Sequence, residues 1–76
     1  MTRREFLTIL TRALPYLDIT ELYHSWSDIP PTEPRTYALF ARKYGLIDDI
    51  ETLFKPDEIL TRSAAADIVI RYLQSQ

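Results

Sequence analysis

The sequence predicts an all-α domain of helix–loop–helix–loop–helix order with long ordered loops, and three observations carry that prediction. Apolar residues recur at three- and four-residue spacing in three separate segments, the period of a helix face. Residues suited to helix ends stand at the margins of those segments: Thr2, Gly45 and Thr61. No segment alternates polar and apolar residues well enough to form a strand.

The first helix carries Phe6, Ile9, Leu10, Ala13, Leu14 and Leu17 as its apolar stripe. Thr2 and Glu5 form a capping box at its start: the hydroxyl takes one free backbone N–H and the carboxylate takes another. Pro15 ends or kinks it, because an interior proline removes a hydrogen bond and clashes with the preceding turn. Residues 18–33 are the least regular part, with one short helical turn capped by Asp18 or Thr20 as the expectation. Pro30, Pro31 and Pro34 exclude regular structure until about Arg35. A second helix then carries Tyr37, Phe40, Ala41 and Tyr44, and the only glycine, Gly45, stands where a left-handed cap belongs. Pro56 and Asp57 supply turn chemistry in the next connection. The last helix starts at Thr61 and carries Ala65, Ile68, Val69, Tyr72 and Leu73 on one face.

With 76 residues, 46% of them hydrophobic, the chain has enough material for one modest core. A domain of that size buries only about 60% of the surface that its unfolded chain exposes, so it is expected to be marginal alone or supported by neighbours. There is no cysteine for a disulfide or a thiolate metal site. The single histidine, His24, has no second histidine or cysteine to chelate with, so no metal or cofactor is expected. The net charge of −2 comes from interspersed charges, which argues against a nucleic-acid surface. No apolar run approaches the ~20 residues that a spanning helix needs, and the N-terminus lacks the apolar stretch of a signal peptide.

Laying the first helix on the last gives an internal echo. Thr2 falls on Thr61, Arg3 on Arg62, Ile9 on Ile68, Arg12 on Arg71 and Leu14 on Leu73, a period of about 59 residues. Such a period is that of a repeat array cut to contain one full unit, residues 18–76, and the closing helix of the unit before it, residues 1–17.

Four stretches together resemble an S-layer homology domain: "WSDIP" from Trp26 to Pro30, "YALFARKYGLI" from Tyr37 to Ile47, "FKPDEILTRSAAADIVIRYL" from Phe54 to Leu73, and "TRREFLTILTRAL" from Thr2 to Leu14. They match the family's aromatic-Ser-Asp-Ile-Pro, Gly-Ile-Ile, aromatic-x-Pro-Asp and Thr-Arg-Ala-Glu patterns in the family's order. Two departures stand out: Ala64 replaces the family's glutamate, and "DDIETL" replaces the second glycine of the loop after Gly45.

The resemblance implies a non-catalytic anchor at the bacterial cell surface, extracellular and part of a larger exported protein. Its implied partner is a cell-wall polysaccharide or peptidoglycan-linked polymer, often pyruvylated, bound in grooves between sibling repeats. The implied ligand residues are Arg62, Thr61, Trp26 and Asp28, with Arg3 and Glu5 forming the equivalent edge from the preceding repeat. The chemistry suits an anion: a helix N-terminus presents free N–H groups, and a first-turn arginine adds a fork that fits a carboxylate.

Each residue also has a structural reading. Thr2 and Thr61 are caps in either case, and Glu5 is a capping-box partner. Arg3 and Arg62 oppose the helix dipole and need either a ligand or an internal carboxylate. Trp26 is core or sugar platform, and Asp28 caps its own loop or faces a ligand.

No motif supplies a nucleophile with its base, and Asp48, Asp49 and Glu51 read as a solvated loop, so catalysis is not expected. A second reading is a divergent repeat that serves protein–protein assembly through sibling repeats or self-association, without glycan binding; Ala64 and the altered loop favour it. A third, DNA binding by a helix-turn-helix variant, needs a basic recognition helix, whereas the last helix has only Arg62 and Arg71 and includes Asp67.

Overall fold

The computed structural model describes residues 1–14 and 23–75. Three helices are present among them: α1 (Arg3–Ala13), α2 (Thr36–Lys43) and α3 (Arg62–Gln74). The all-α class expected from the sequence is the class observed. The only β-type pairing among the described residues is an isolated antiparallel bridge between Thr2 and Ile59. The expectations placed on Pro15, Leu17, Asp18 and Thr20, and the unit boundary between residues 17 and 18, lie outside the described residues.

The helix ends follow local chemistry. Thr2 accepts from the Glu5 N–H while Glu5 accepts from the Thr2 N–H, so the capping box forms with both halves present. At the end of α2, Gly45 has φ of 61°. There the Leu46 N–H reaches Ala41 O at 3.0 Å and the Gly45 N–H reaches Arg42 O at 3.4 Å, the paired bonds of a Schellman motif. That motif turns the chain so that Leu46 enters the core with Phe40 and Ala41.

The core gathers Leu7, Trp26, Ile29, Phe40, Phe54 and Ile68 with Tyr37, Leu46, Ile50 and two alanines. Burying each large side chain contributes about 1.5–3 kcal/mol. Aromatic rings tie the elements together: Phe54 meets Trp26 and Tyr37 edge-on at 5.4 and 5.6 Å, and Phe40, Tyr44 and Tyr72 form a mutual trio at 5.3–5.4 Å.

Two apolar stripes differ from expectation. On α1 the wholly buried residue is Leu7, flanked by half-buried Phe6, Leu10 and Leu14, whereas Ile9 is 57% exposed and Ala13 also faces solvent. The apolar sector of this helix is wide, and α2 covers only the side that Leu7 occupies. On α3, Ile68 is buried and Tyr72 packs against the core, but Val69, Ile70 and Leu73 are exposed. Nothing among the described residues covers that second side of α3.

Candidate functional site

The two Thr-Arg helix starts have different surroundings. At α1 the segment from Phe54 to Leu60 lies across the helix end. The Arg3 N–H donates to Glu58 O and the Arg4 N–H to Pro56 O, each at 3.0 Å, and the Leu60 N–H donates to Met1 O at 2.8 Å. With the Glu5 N–H on Thr2 Oγ1, every first-turn donor of α1 has an acceptor. The Arg3 guanidinium donates through Nη1 to Phe54 O at 2.8 Å, stands 3.8 Å from Glu58, and is 16% exposed. Its Nε is buried without a hydrogen-bond partner among the described residues. This start is a closed latch, and it leaves no first-turn backbone N–H free for an anion.

At α3 the threonine cap is repeated, with Thr61 Oγ1 accepting from the Ala64 N–H at 3.1 Å. The rest is missing. Ala64 stands where Glu5 stands in α1, so the box has only one half. The Arg62 and Ser63 N–H groups have no acceptor among the described residues, and the exposed Arg62 side chain makes no ion pair or hydrogen bond there.

Phe54 organises the other predicted residues. Its N–H donates to Asp28 Oδ1 at 3.0 Å, and the neighbouring Lys55 N–H donates to Asp28 Oδ2 at 2.7 Å. Asp28 therefore pins the residue 26–29 loop to the Phe54–Leu60 turn rather than only closing its own loop. Desolvation pushes its carboxyl pKa up, but the Phe54 and Lys55 N–H bonds outweigh that and hold it below the usual range. Lys55 takes φ of 58°, the left-handed kink that sets both N–H groups and the Phe54 and Pro56 carbonyls in place.

Trp26 is 3% exposed, and its indole N–H donates to Ile50 O. One ring edge meets His24 at 4.6 Å and another Phe54 at 5.4 Å, so the ring is a core piece with no face free to stack on a sugar. Of the two readings of Trp26, core and sugar platform, its burial is that of a core residue. Arg3, Trp26 and Asp28 thus converge on Phe54, while Thr61 and Arg62 stand at the other helix start. No hydrogen bond or ion pair among the described residues joins the two groups.

A cluster absent from the sequence reading lies beside the latch. Arg4 pairs with Glu33 at 3.2 Å and with Asp57, and the Tyr37 hydroxyl donates to Glu33 at 2.6 Å. Burial, then the Glu33 bond, drives the Tyr37 pKa far up. An open groove of about 540 Å³ runs along these residues past Thr8, Thr11 and Arg12. Arg4 and Glu33 are 29 residues apart, so no local pattern announces the pair. The loop carboxylates are paired as well, Asp48 with Arg71 at 3.0 Å and Glu51 with Arg42 at 3.3 Å. His24 Nε2 lies 2.7 Å from Glu51 O. No group of three or more metal-ligating side chains occurs among the described residues, and none of their helices is long and apolar enough to cross a membrane.

The chain matches no protein-family model, no curated protein and no solved structure, so its functional reading rests on the residues themselves.

Proposed function

We propose that the chain is a non-catalytic unit of an extracellular bacterial anchoring array, and that this unit contributes packing against sibling units rather than glycan contact. One observation carries the reading: Arg3, Glu5, Trp26, Asp28 and Thr61 each make hydrogen bonds inside the fold, with caps, turn amides and backbone carbonyls. A polysaccharide would have to displace those bonds, each worth about 0.5–1.5 kcal/mol net and more where a charge takes part.

A second reading, binding of an anionic cell-wall polysaccharide, is favoured by Arg62 alone, which is exposed beside two free backbone donors. Co-sedimentation with bacterial cell-wall sacculi, before and after removal of secondary polymer, separates the two. The packing role predicts no binding by the folded chain. Binding that is lost both on polymer removal and with Arg62→Ala would replace it with the polysaccharide reading.

A further inference from the structure

The groove beside the latch is paired at one end and open at the other. Arg4, Thr8 and Arg12 stand four residues apart and form one ridge of α1, with about 12 Å of helix rise between the two arginines. Pro34 and Tyr37 line the groove with them. At the first end Arg4 uses all three of its nitrogens, Nε and Nη2 on Glu33 and Nη1 on Asp57. Both Glu33 oxygens are taken by Arg4, and one of them also accepts from the Tyr37 hydroxyl. At the second end the exposed Arg12 guanidinium makes no hydrogen bond or ion pair among the described residues. Between the ends, the Thr8 and Thr36 hydroxyls are likewise without a partner among those residues.

We propose that this groove binds a small apolar carboxylate, an aryl- or alkyl-substituted acid, with its carboxylate on the Arg12 guanidinium and its apolar body against Leu14, Pro34 and the Tyr37 ring. The charge follows from the lining: of Arg4, Arg12 and Glu33, Arg12 alone lacks an opposite charge, and its fork matches one carboxylate. A cation would meet Arg12 and find Glu33 already occupied. The body follows from the wall, which is mostly apolar, and from the space of about 540 Å³, within the range of roughly 300–1,000 Å³ that small-molecule sites occupy. A sugar ring there would turn hydroxyls toward carbon without partners, at the cost of desolvating them. The groove lies away from the Arg62 helix start, so the proposal is independent of both the packing role and the glycan reading.

The test is titration of the isotope-labelled chain with 3-phenylpropionate, its neutral amide 3-phenylpropionamide, and glucuronate, followed by amide chemical shifts in NMR spectra. The acid is expected to shift Thr8, Thr11, Arg12 and Tyr37 saturably, with a Kd on the order of 1 mM for a ligand of that size. The amide and glucuronate are each expected to bind about tenfold more weakly, the first for want of charge and the second for want of an apolar body. Arg12→Gln, at an exposed position, is expected to weaken the acid about tenfold and to leave the amide unchanged. Thr8→Phe, which fills the middle of the groove, is expected to abolish binding of both. The comparison of the three compounds uses the unaltered chain and does not depend on either variant folding. Equal affinity for acid and amide would remove the role of Arg12 and overturn the proposal. Glucuronate binding as tightly as the acid would overturn it in favour of a glycan site. No saturable shift at these residues, or acid binding that survives Thr8→Phe, would overturn it as well.

Discussion

The two helix starts carry the same Thr-Arg pair and differ in almost everything that surrounds it. At α1, two carbonyls of the Phe54–Leu60 turn and the Thr2 hydroxyl meet the first turn's N–H donors; at α3, the threonine alone does so. The difference shows that the motif is an adaptor, whose role depends on what lies across it. An arginine in the first turn opposes the helix dipole. Arg3 offsets that cost with Phe54 O and Glu58, and Arg62 has no such partner among the described residues.

Substitutions can break this contrast in a graded way. Phe54→Ala removes a fully buried ring that packs under the latch, and should cost about 3–5 kcal/mol by urea unfolding. Leu73→Ala, on the exposed side of α3, should stay within about 0.5 kcal/mol. Next comes the pair of arginines. Arg3→Ala leaves the Phe54 carbonyl without its donor and should cost about 1–3 kcal/mol, whereas Arg62→Ala should fall within about 0.5 kcal/mol. Equal effects from the two arginines would show that the latch contributes nothing.

The caps come third. Thr2→Ala and Thr61→Ala each lose one side-chain acceptor, typically about 1 kcal/mol, but Thr2 also belongs to a complete box, so its loss should be the larger. Thermal unfolding of both variants gives the order.

The smallest effect expected is on pH dependence, which should belong to the α1 side. The Glu5 carboxyl is held low first by the Thr2 N–H and then by the Thr2 hydroxyl. Asp28 is low because the Phe54 and Lys55 N–H bonds outweigh its desolvation. A depressed folded pKa contributes stability that is present above the unfolded value and lost as pH falls through the folded one. The loss should therefore begin below about pH 5 and progress through the ordinary carboxylate range and beneath it. Hydrogen exchange at Arg3 and Arg4 should rise there before exchange at Ala64, whose cap involves no carboxylate. Simultaneous loss at both starts would contradict the comparison.

Most of the helix scaffold was legible in the sequence because its signals are local. The Thr2–Glu5 box, the Gly45 cap and the Thr61 cap each need residues no more than a few positions apart. The choice of buried face on α1 was not legible, since Leu7 and Ile9 are equally apolar and the covering helix begins more than twenty residues later. The latch itself has no sequence signature, because its acceptors are backbone carbonyls, which every residue carries. Asp28 was read as the cap of its own loop or as a ligand residue, whereas its carboxylate accepts from the Phe54 N–H, 26 residues away, and from the Lys55 N–H. Trp26 shows the same limit: the residue type fits core and platform alike, and only its position between His24, Ile50 and Phe54 decides.

The latch also bears on how the chain reaches its fold. The Arg3–Phe54 bond spans 51 residues, so closing it alone costs about 3.5 kcal/mol of loop entropy. Contacts of that reach reward the chain only after the intervening elements have formed. The start of α1 should thus be docked late, on the native side of the rate-limiting barrier. Substitutions at Thr2 and Arg3 should then accelerate unfolding while leaving the folding rate almost unchanged in stopped-flow measurements.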